Sequence, residues 1–369
     1  MKKLLAFAAA VLAGAGQLLP AAGQALPAAG EAPAQAPKKK VACTLPTVEA
    51  IVREVGGDRV AAFSLAAGDQ DPHFVSPTPA LMKRVREADL MVEIGMQLEL
   101  WADEVANGSG NPRLFKGAPG RITLSTGVPR LEVPSVVSRA QGDVHPEGNP
   151  HLWLDPMRTK LLAENAARAL QAASPADASY FGERLQDFKA RLDRALFGDE
   201  LLQIAGSSKL TRLALDGRLH EFLESTDYDG KKLSERAGGW LAKARPLRQQ
   251  NVVEFHKVWV YFASVFGFQL VGTIEEKPGI APGPKYVNQT IETMRRDGVK
   301  LILVDNFYDP SLPKRIAGEC QARIVVLPNQ VRGEAGIDDY FQLIHYVLDA
   351  MLAASKAAGE EVQTGGTQR

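Results

Sequence analysis

From Val41 onward, short apolar runs alternate with stretches whose apolar positions recur at spacings of three and four. VACTLP, VAAFSLA, DLMVEIG and RITLST read as strands, and TVEAIVREVGG, TPALMKRVREA and QLELWADEVANG between them read as helices. Strands separated by helices need crossover connections, so this alternation predicts a mostly parallel sheet. A loop rich in Gly and Pro, GDVHPEGNPH, leads into two long helical patterns, LDPMRTKLLAENAARALQAA and PADASYFGERLQDFKARLDRALFG. The second is long enough to span the molecule. NVVEFH, QLVGTIE, VKLILVDN and RIVVLP then repeat the strand theme, alternating with the helical stretches KVWVYFASVFG, KYVNQTIETMRRDG, PSLPKRIAGECQ and DDYFQLIHYVLDAMLAASKAA. The predicted fold class is α/β: two parallel-sheet βα lobes joined by a long rigid helix, with a cleft between them.

The boundaries follow from these patterns. Residues 1–25 have a basic start, an apolar run and small residues, and read as a secretory signal peptide. Residues 26–40 form a Pro/Ala-rich tether ending in three lysines, with no periodicity of a packed element. The N-terminal lobe is expected at 41–174, the linking helix at 175–198, an insertion at 199–250 and the C-terminal lobe at 251–369, with the least regular stretch from Ile204 to Gln250. The apolar start is too short for a confident membrane span and no later segment reaches that length. The mature chain is therefore expected to be a soluble periplasmic monomer without direct membrane insertion. Export permits a disulfide, but Cys43 and Cys320 fall in different lobes and are expected to stay unpaired. Lys+Arg and Asp+Glu both number 43, and the zero net charge argues against nucleic acid or an anionic membrane surface as partner.

Candidate chemistry sits in the histidines, of which there are six. Ligands of open parallel sheets bind beyond the carboxyl ends of strands. His73 follows the strand VAAFSLA, His256 ends NVVEFH, and His151 lies at the entry to a long helix. Two from the first lobe and one from the second would meet in the cleft, and neutral imidazole is the commonest protein ligand for zinc. His145 is expected to be an ordinary loop residue. His220, in HEFLE, lacks the second histidine of HExxH and reads as part of an inserted surface helix; His345 reads as a packing residue within a helix. Three histidines and a water would also suit a periplasmic zinc-dependent hydrolase, with Glu275 or Asp305 as base. Against an enzyme, the chain shows no HExxH, nucleophile elbow or paired acid motif.

GDQDPHFVSPTPALMKRVREADLMVEIGMQLELW, GNPHLWLDP, VVEFHKVWVYFASVFGFQLVGTIEEKPGIAPGP and GVKLILVDNFYDP together resemble the cluster A-I solute-binding proteins of bacterial ABC importers, which carry zinc or manganese. The resemblance covers nearly the whole mature chain. It implies one divalent metal ion as cargo between two lobes, delivery to a membrane permease, and no catalysis. Its ligand positions fall on His73, His151 and His256. Many members of the family place an aspartate in the loop before the final helix, but here that loop reads VLPNQVRGEAGIDDYF and Asn329 stands nearest. Water is therefore expected as fourth ligand, with Asn329 next. Glu275, Asp305 and Glu334 are further carboxylates near the cleft, while Asp338 and Asp339 read as caps of the final helix. A neutral, nitrogen-rich set suits Zn2+ better than Mn2+, which favours more oxygen donors. The alternatives to zinc capture are a manganese-binding importer protein and an adhesin.

Overall fold

The computed structural model describes residues 37–135, 145–275, 277 and 279–365, with side chains through Ala358. The expected signal peptide and most of the tether lie outside the described residues. In the first lobe come β1 (Lys39–Cys43), α1 (Pro46–Gly56), β2 (Val60–Ser64), α2 (Pro79–Val85), β3 (Leu90–Glu93), α3 (Trp101–Ser109) and β4 (Arg121–Thr123). The first strand thus begins two residues inside the stretch expected to be tether. The four strands are parallel in the order β2-β1-β3-β4. Helices cover both faces, so central strands read as continuous apolar runs; Val41, Ala42 and Cys43 are all fully buried.

Two long antiparallel-patterned helices follow, α4 (Pro156–Ala173) and α5 (Ala178–Phe197). Phe181, Leu185, Phe188, Leu192 and Leu196 form the buried stripe of α5 at the spacing of an amphipathic helix. The stretch expected to be least regular is in fact mostly helical. It contains α6 (Asp199–Ala205), α7 (Ser207–Leu215), α8 (Leu219–Ser225), the hairpin β5 (Asp227–Tyr228) and β6 (Lys231–Lys232), α9 (Leu233–Arg236) and α10 (Gly239–Lys243). Each helix is only one to three turns long and is bounded by residues such as Gly206, Gly217 and Gly238, so no window is long enough to reveal a period.

The second lobe comprises β7 (Asn251–Glu254), α11 (Val260–Phe266), β8 (Gln269–Thr273), α12 (Pro284–Arg296), β9 (Leu301–Asp305), α13 (Ser311–Cys320), β10 (Arg323–Leu327) and α14 (Tyr340–Gly365). Its parallel order, β10-β9-β7-β8, repeats the winding of the first lobe read from the opposite edge. Alternate residues face opposite sides of the sheet: Val252, Leu301, Leu303 and Leu327 join the main core, while Val253, Ile302 and Val304 pack with α12 and α13. In both lobes the winding reverses beside the first strand, β1 or β7, the position where open α/β sheets form a binding crevice.

The main core runs without a break from β1 through α4 and α5 to α11 and α14. Polar contacts stitch the same seam. Tyr340 Oη donates to the Trp153 carbonyl at 2.7 Å, Trp153 Nε1 donates to the Asn329 carbonyl at 2.6 Å, and Val331 N donates to Thr47 Oγ1 at 3.0 Å. Gly68 allows the β2–α2 loop to press onto the second lobe, where an added Cβ would come within 2.3 Å of the Arg332 carbonyl carbon. A wide hinge opening would strip these buried groups of their partners, so small shifts and loop movements are the available motions.

Cys43 and Cys320 are both free and buried. His220 lies on α8, with Nε2 at 2.9 Å from the Val265 carbonyl. His345 is exposed rather than packed: Leu343, Ile344, Val347, Leu348 and Met351 form the buried face of α14, and 345 falls outside it. Its Nε2 lies 2.9 Å from Lys243 Nζ.

One buried acid gives the first lobe a pH dependence. Glu99 accepts from Thr44 Oγ1 at 2.8 Å, Ile94 N at 2.9 Å and Gly95 N at 3.0 Å. Burial, reinforced by the charge of Glu93, pushes its pKa up to about 7. Folding thus favours the protonated form: its contribution is full below the ordinary carboxylate range and is lost as pH rises through about 7. Between about pH 5 and 8, the Tm of Glu99→Gln is expected to shift upward relative to wild type, by the equivalent of a few kcal/mol. A Tm difference that does not change with pH in thermal denaturation would contradict this.

Candidate metal centre

Three loops from two lobes converge on one point. His73 stands between β2 and α2, where Asp71 Oδ1 accepts from its backbone N at 3.0 Å and lies 2.8 Å from its Nδ1. Trp101 Nε1 donates to the Pro72 carbonyl at 2.9 Å, and Thr78 caps α2 by accepting from Leu81 N, so the loop is fixed at both ends. His256 follows β7, and its Nδ1 lies 2.6 Å from Glu275 Oε2. Glu275, placed just beyond β8, accepts from Gly279 N through its other oxygen at 3.0 Å. The turn that presents His256 closes on Glu254, whose Oε2 accepts from Val258 N and Trp259 N. Burial pushes the Glu254 carboxyl up to about 8.

His151 is the deepest of the set. It precedes a short 3-10 turn, Leu152–Leu154, all three of whose side chains are fully buried. Asp155 then caps α4, accepting from Met157 N and Arg158 N, and pairs with the buried Arg158 guanidinium. Asn149 Oδ1 accepts from His151 N at 3.0 Å and lies 2.9 Å from its Nδ1. The amide orientation is settled by its other end: Asn149 Nδ2 reaches Glu132 Oε2 and the Lys257 carbonyl, both acceptors, each at 2.9 Å.

A fourth imidazole belongs to the cluster. His145, expected to be an ordinary loop residue, has its Nε2 3.1 Å from Nε2 of His73 and its Nδ1 3.1 Å from the Met96 carbonyl. That carbonyl is turned inward by two successive left-handed residues after β3, Met96 at φ 56° and Gln97 at φ 62°. The sequence held a signal for this, since only six positions separate His145 from His151. What it lacked was the fold of the intervening turn, in which Gly148, at φ 104°, packs against the Leu131 carbonyl.

The ring geometry has a common logic. Each Nδ1 faces an oxygen: a carboxylate for His73 and His256, an amide oxygen for His151, a main-chain carbonyl for His145. Those oxygens accept and cannot donate, so a neutral ring carries its proton on Nδ1 and its lone pair on Nε2. Ring centroids lie 5.2 Å (His73–His145), 5.5 Å (His73–His151), 5.5 Å (His73–His256) and 6.3 Å (His151–His256) apart. A tetrahedral zinc with Zn–N near 2.0–2.1 Å requires roughly 5.2 Å between centroids. Among the described residues no three His, Cys, Asp or Glu side chains stand in place around an ion; the rings are gathered but splayed, most between His151 and His256. Burial, followed by the charges of His73, His256 and His145, holds the His151 pKa well below its ordinary value, which keeps that ring neutral and ready to coordinate. For Asp71, burial acts to raise the pKa, but the hydrogen bond and charge of His73 outweigh it and hold the carboxyl below its usual value.

Of the other expected oxygen donors, Asn329 donates through Nδ2 to Asp305 Oδ1 at 2.9 Å, and its Oδ1 and Asp305 Oδ2 are buried without a hydrogen-bond partner. Burial pushes the Asp305 carboxyl up to about 8 despite the Asn329 bond. Glu275 serves to hold His256, Glu334 is exposed, and Asp339 accepts from Gln342 N at the start of α14.

Two parallel-sheet lobes carry a histidine cluster at their seam, and comparison with known proteins places the chain among the metal-binding periplasmic substrate-binding proteins of ABC importers. The chain belongs to the family of the zinc-uptake complex component A, periplasmic (ZnuA), which it matches over residues 41–196 and 230–354. The family is a binding component of transport, not an enzyme; its members are extracytoplasmic and work with a membrane permease. Among the described residues no helix is long and apolar enough to cross a membrane. The iron-binding protein YfeA of Yersinia pestis is 22% identical over 86% of this chain and 86% of its own. The manganese ABC transporter substrate-binding lipoprotein PsaA of Streptococcus anginosus is 21% identical over 85% and 87%. The zinc-binding protein AdcA of Streptococcus pyogenes serotype M1 is 20% identical over 88% of this chain, which spans 58% of AdcA. A crystal structure of ZnuA superposes with a TM-score of 0.62 at 21% identity, covering 86% of this chain and 99% of that one.

The seating of His151 generates a stability prediction. Asp155→Ala removes the α4 cap and leaves Arg158 buried without its carboxylate, and is expected to cost about 3–5 kcal/mol in urea denaturation. Asp155→Asn, which keeps a capping oxygen, is expected to lose less. A change within about 0.5 kcal/mol for Asp155→Ala would show that the pair does not anchor the turn.

Proposed function

We propose that this chain captures zinc on Nε2 of His73, His151 and His256 and hands it to the permease of its importer. The observation that carries this reading is the oxygen that faces each Nδ1, which favours neutral imidazoles with the lone pair on Nε2, on rings whose centroids lie 5.5, 5.5 and 6.3 Å apart at the lobe seam. Neutral nitrogen donors satisfy the tetrahedral preference of zinc, and carboxylate or amide partners behind each imidazole are the usual means of orienting and strengthening it. Three nitrogens leave a fourth tetrahedral place for water or for Asn329. Manganese or iron would call for more oxygen donors, and the buried, unpartnered Oδ1 of Asn329 and Oδ2 of Asp305 are the oxygens available for that reading.

The lobes are stitched together, so release depends on the loops that carry the front of the site. His151 is buried at the back, whereas His73 and His145 lie in loops nearer the surface. Capture and release of the ion would therefore proceed through movement of these two loops, with the His151 turn as the fixed floor.

Chelated protein is expected to bind one zinc per chain in competitive titration, and binding is expected to weaken in acid as protons compete for the imidazoles. His73→Ala, His151→Ala and His256→Ala should each lose more affinity than Glu275→Gln, which removes only the support behind His256 and is expected to cost about 10- to 100-fold. Wild-type zinc affinity in all three alanine variants would refute the assignment. Tighter binding of manganese than zinc in the same titration would favour the oxygen-donor reading.

A further inference from the structure

We infer that His145 is the fourth donor of the site, in place of water or Asn329, so that the cargo ion is held by four imidazole nitrogens. The inference rests on the three-histidine reading above and deepens it. Nε2 of His145 and Nε2 of His73 lie 3.1 Å apart while both Nδ1 atoms face main-chain or carboxylate oxygens. Two neutral rings held in that tautomer point lone pairs at each other, an arrangement that repels unless a shared proton or a metal cation lies between them. Ligand nitrogens of a tetrahedral zinc stand about 3.3–3.4 Å apart for Zn–N bonds of 2.0–2.1 Å, close to the separation found here. The centroid distance of this pair, 5.2 Å, is also the one that already matches the tetrahedral requirement.

Asn329 is less suited to the place. Its Nδ2 is committed to Asp305 and its main-chain carbonyl to Trp153, which hold it beneath the His151 turn with Oδ1 as its one uncommitted side-chain polar atom. His145, in contrast, reaches the site from the loop that enters His151, with the Met96 carbonyl behind its ring in the role Glu275 plays for His256. With His145 in the set, the first lobe supplies three donors and the second one. The donor set then contains no oxygen, which makes His145 a specificity residue: it disfavours manganese, whose sites are built from oxygen ligands and larger coordination numbers.

The test uses the full mature chain, stripped by chelation and reloaded with zinc or with cobalt(II) as a visible-absorbing reporter. His145→Ala is expected to keep a stoichiometry of one zinc and an unchanged apo Tm, while zinc affinity falls about tenfold or more, no less than for loss of a group behind a ligand. The ratio of zinc to manganese affinity should fall with it. Cobalt-loaded His145→Cys should gain a thiolate-to-metal charge-transfer band in the near ultraviolet that wild type lacks, since Cys43 and Cys320 are buried away in other elements. Wild-type zinc affinity in His145→Ala with no such band in His145→Cys would overturn the inference and return the fourth place to water, Asn329 or Asp305. In that case loss of binding in His73→Ala would still uphold the three-histidine site; retention of binding there as well would refute both.

Discussion

Everything at the seam depends on what stands behind each imidazole. A histidine side chain has two nitrogens and two soft torsions, and by itself it presents neither a defined donor nor a defined direction. Here the far nitrogen of each ring is tied to an oxygen that can only accept: Asp71, Asn149, Glu275 and the Met96 carbonyl. Those ties favour the tautomer with the proton on Nδ1, orient the ring and raise the basicity of Nε2, so a histidine held this way is prepared for coordination before any ion arrives. Asn149 extends the principle across the lobes, because its Nδ2 reaches the Lys257 carbonyl while Tyr261 Oη donates to the Asn149 main-chain carbonyl at 2.6 Å. One amide thus registers His151 of the first lobe against the second lobe's turn.

The price of such order is rigidity, and the rest of the fold enforces it. A single apolar core crosses the seam, Trp153 and Tyr340 lock α4 to α14, and the ion pair of Glu49 with Arg332 closes the outer edge. A binding protein built this way cannot open like a hinge without exposing a large part of its interior. The parts of the site nearest the surface are the β2–α2 loop with His73 and the turn with His145, which touch each other through their rings. In the proposed reading, a buried ligand at the back and loop-borne ligands at the front would let the site be dismantled from one side.

The sequence disclosed the architecture because its strands are short apolar runs and its helices carry a clear stripe, and both signals survive without tertiary context. His73, His151 and His256 stand out in the sequence because each follows a strand or opens a helix in a loop whose Pro, Gly and Asp residues mark the boundary, and the fold brings their rings together. What stayed hidden depended on contacts distant in the chain. His145 is drawn inward by a carbonyl 49 positions away, exposed by two left-handed residues that no periodicity announces. The role of Glu275 as the partner of His256 required the pairing of β7 with β8 to bring the strand ends together. His345 was misread because it adjoins the buried stripe of α14, and one position decides which side of a helix a residue takes. Apart from the surface helix expected around His220, the helices between Asp199 and Lys243 left no signal because each is too short to show a period.

The most direct test of the account is an anomalous diffraction map collected at the zinc edge from zinc-loaded crystals of the mature chain. The account predicts one strong peak at the lobe seam, about 2.0–2.1 Å from Nε2 of His73, His151 and His256, with each Nδ1 still on its oxygen partner. A peak bound through Nδ1, or one seated away from these three rings, would contradict it.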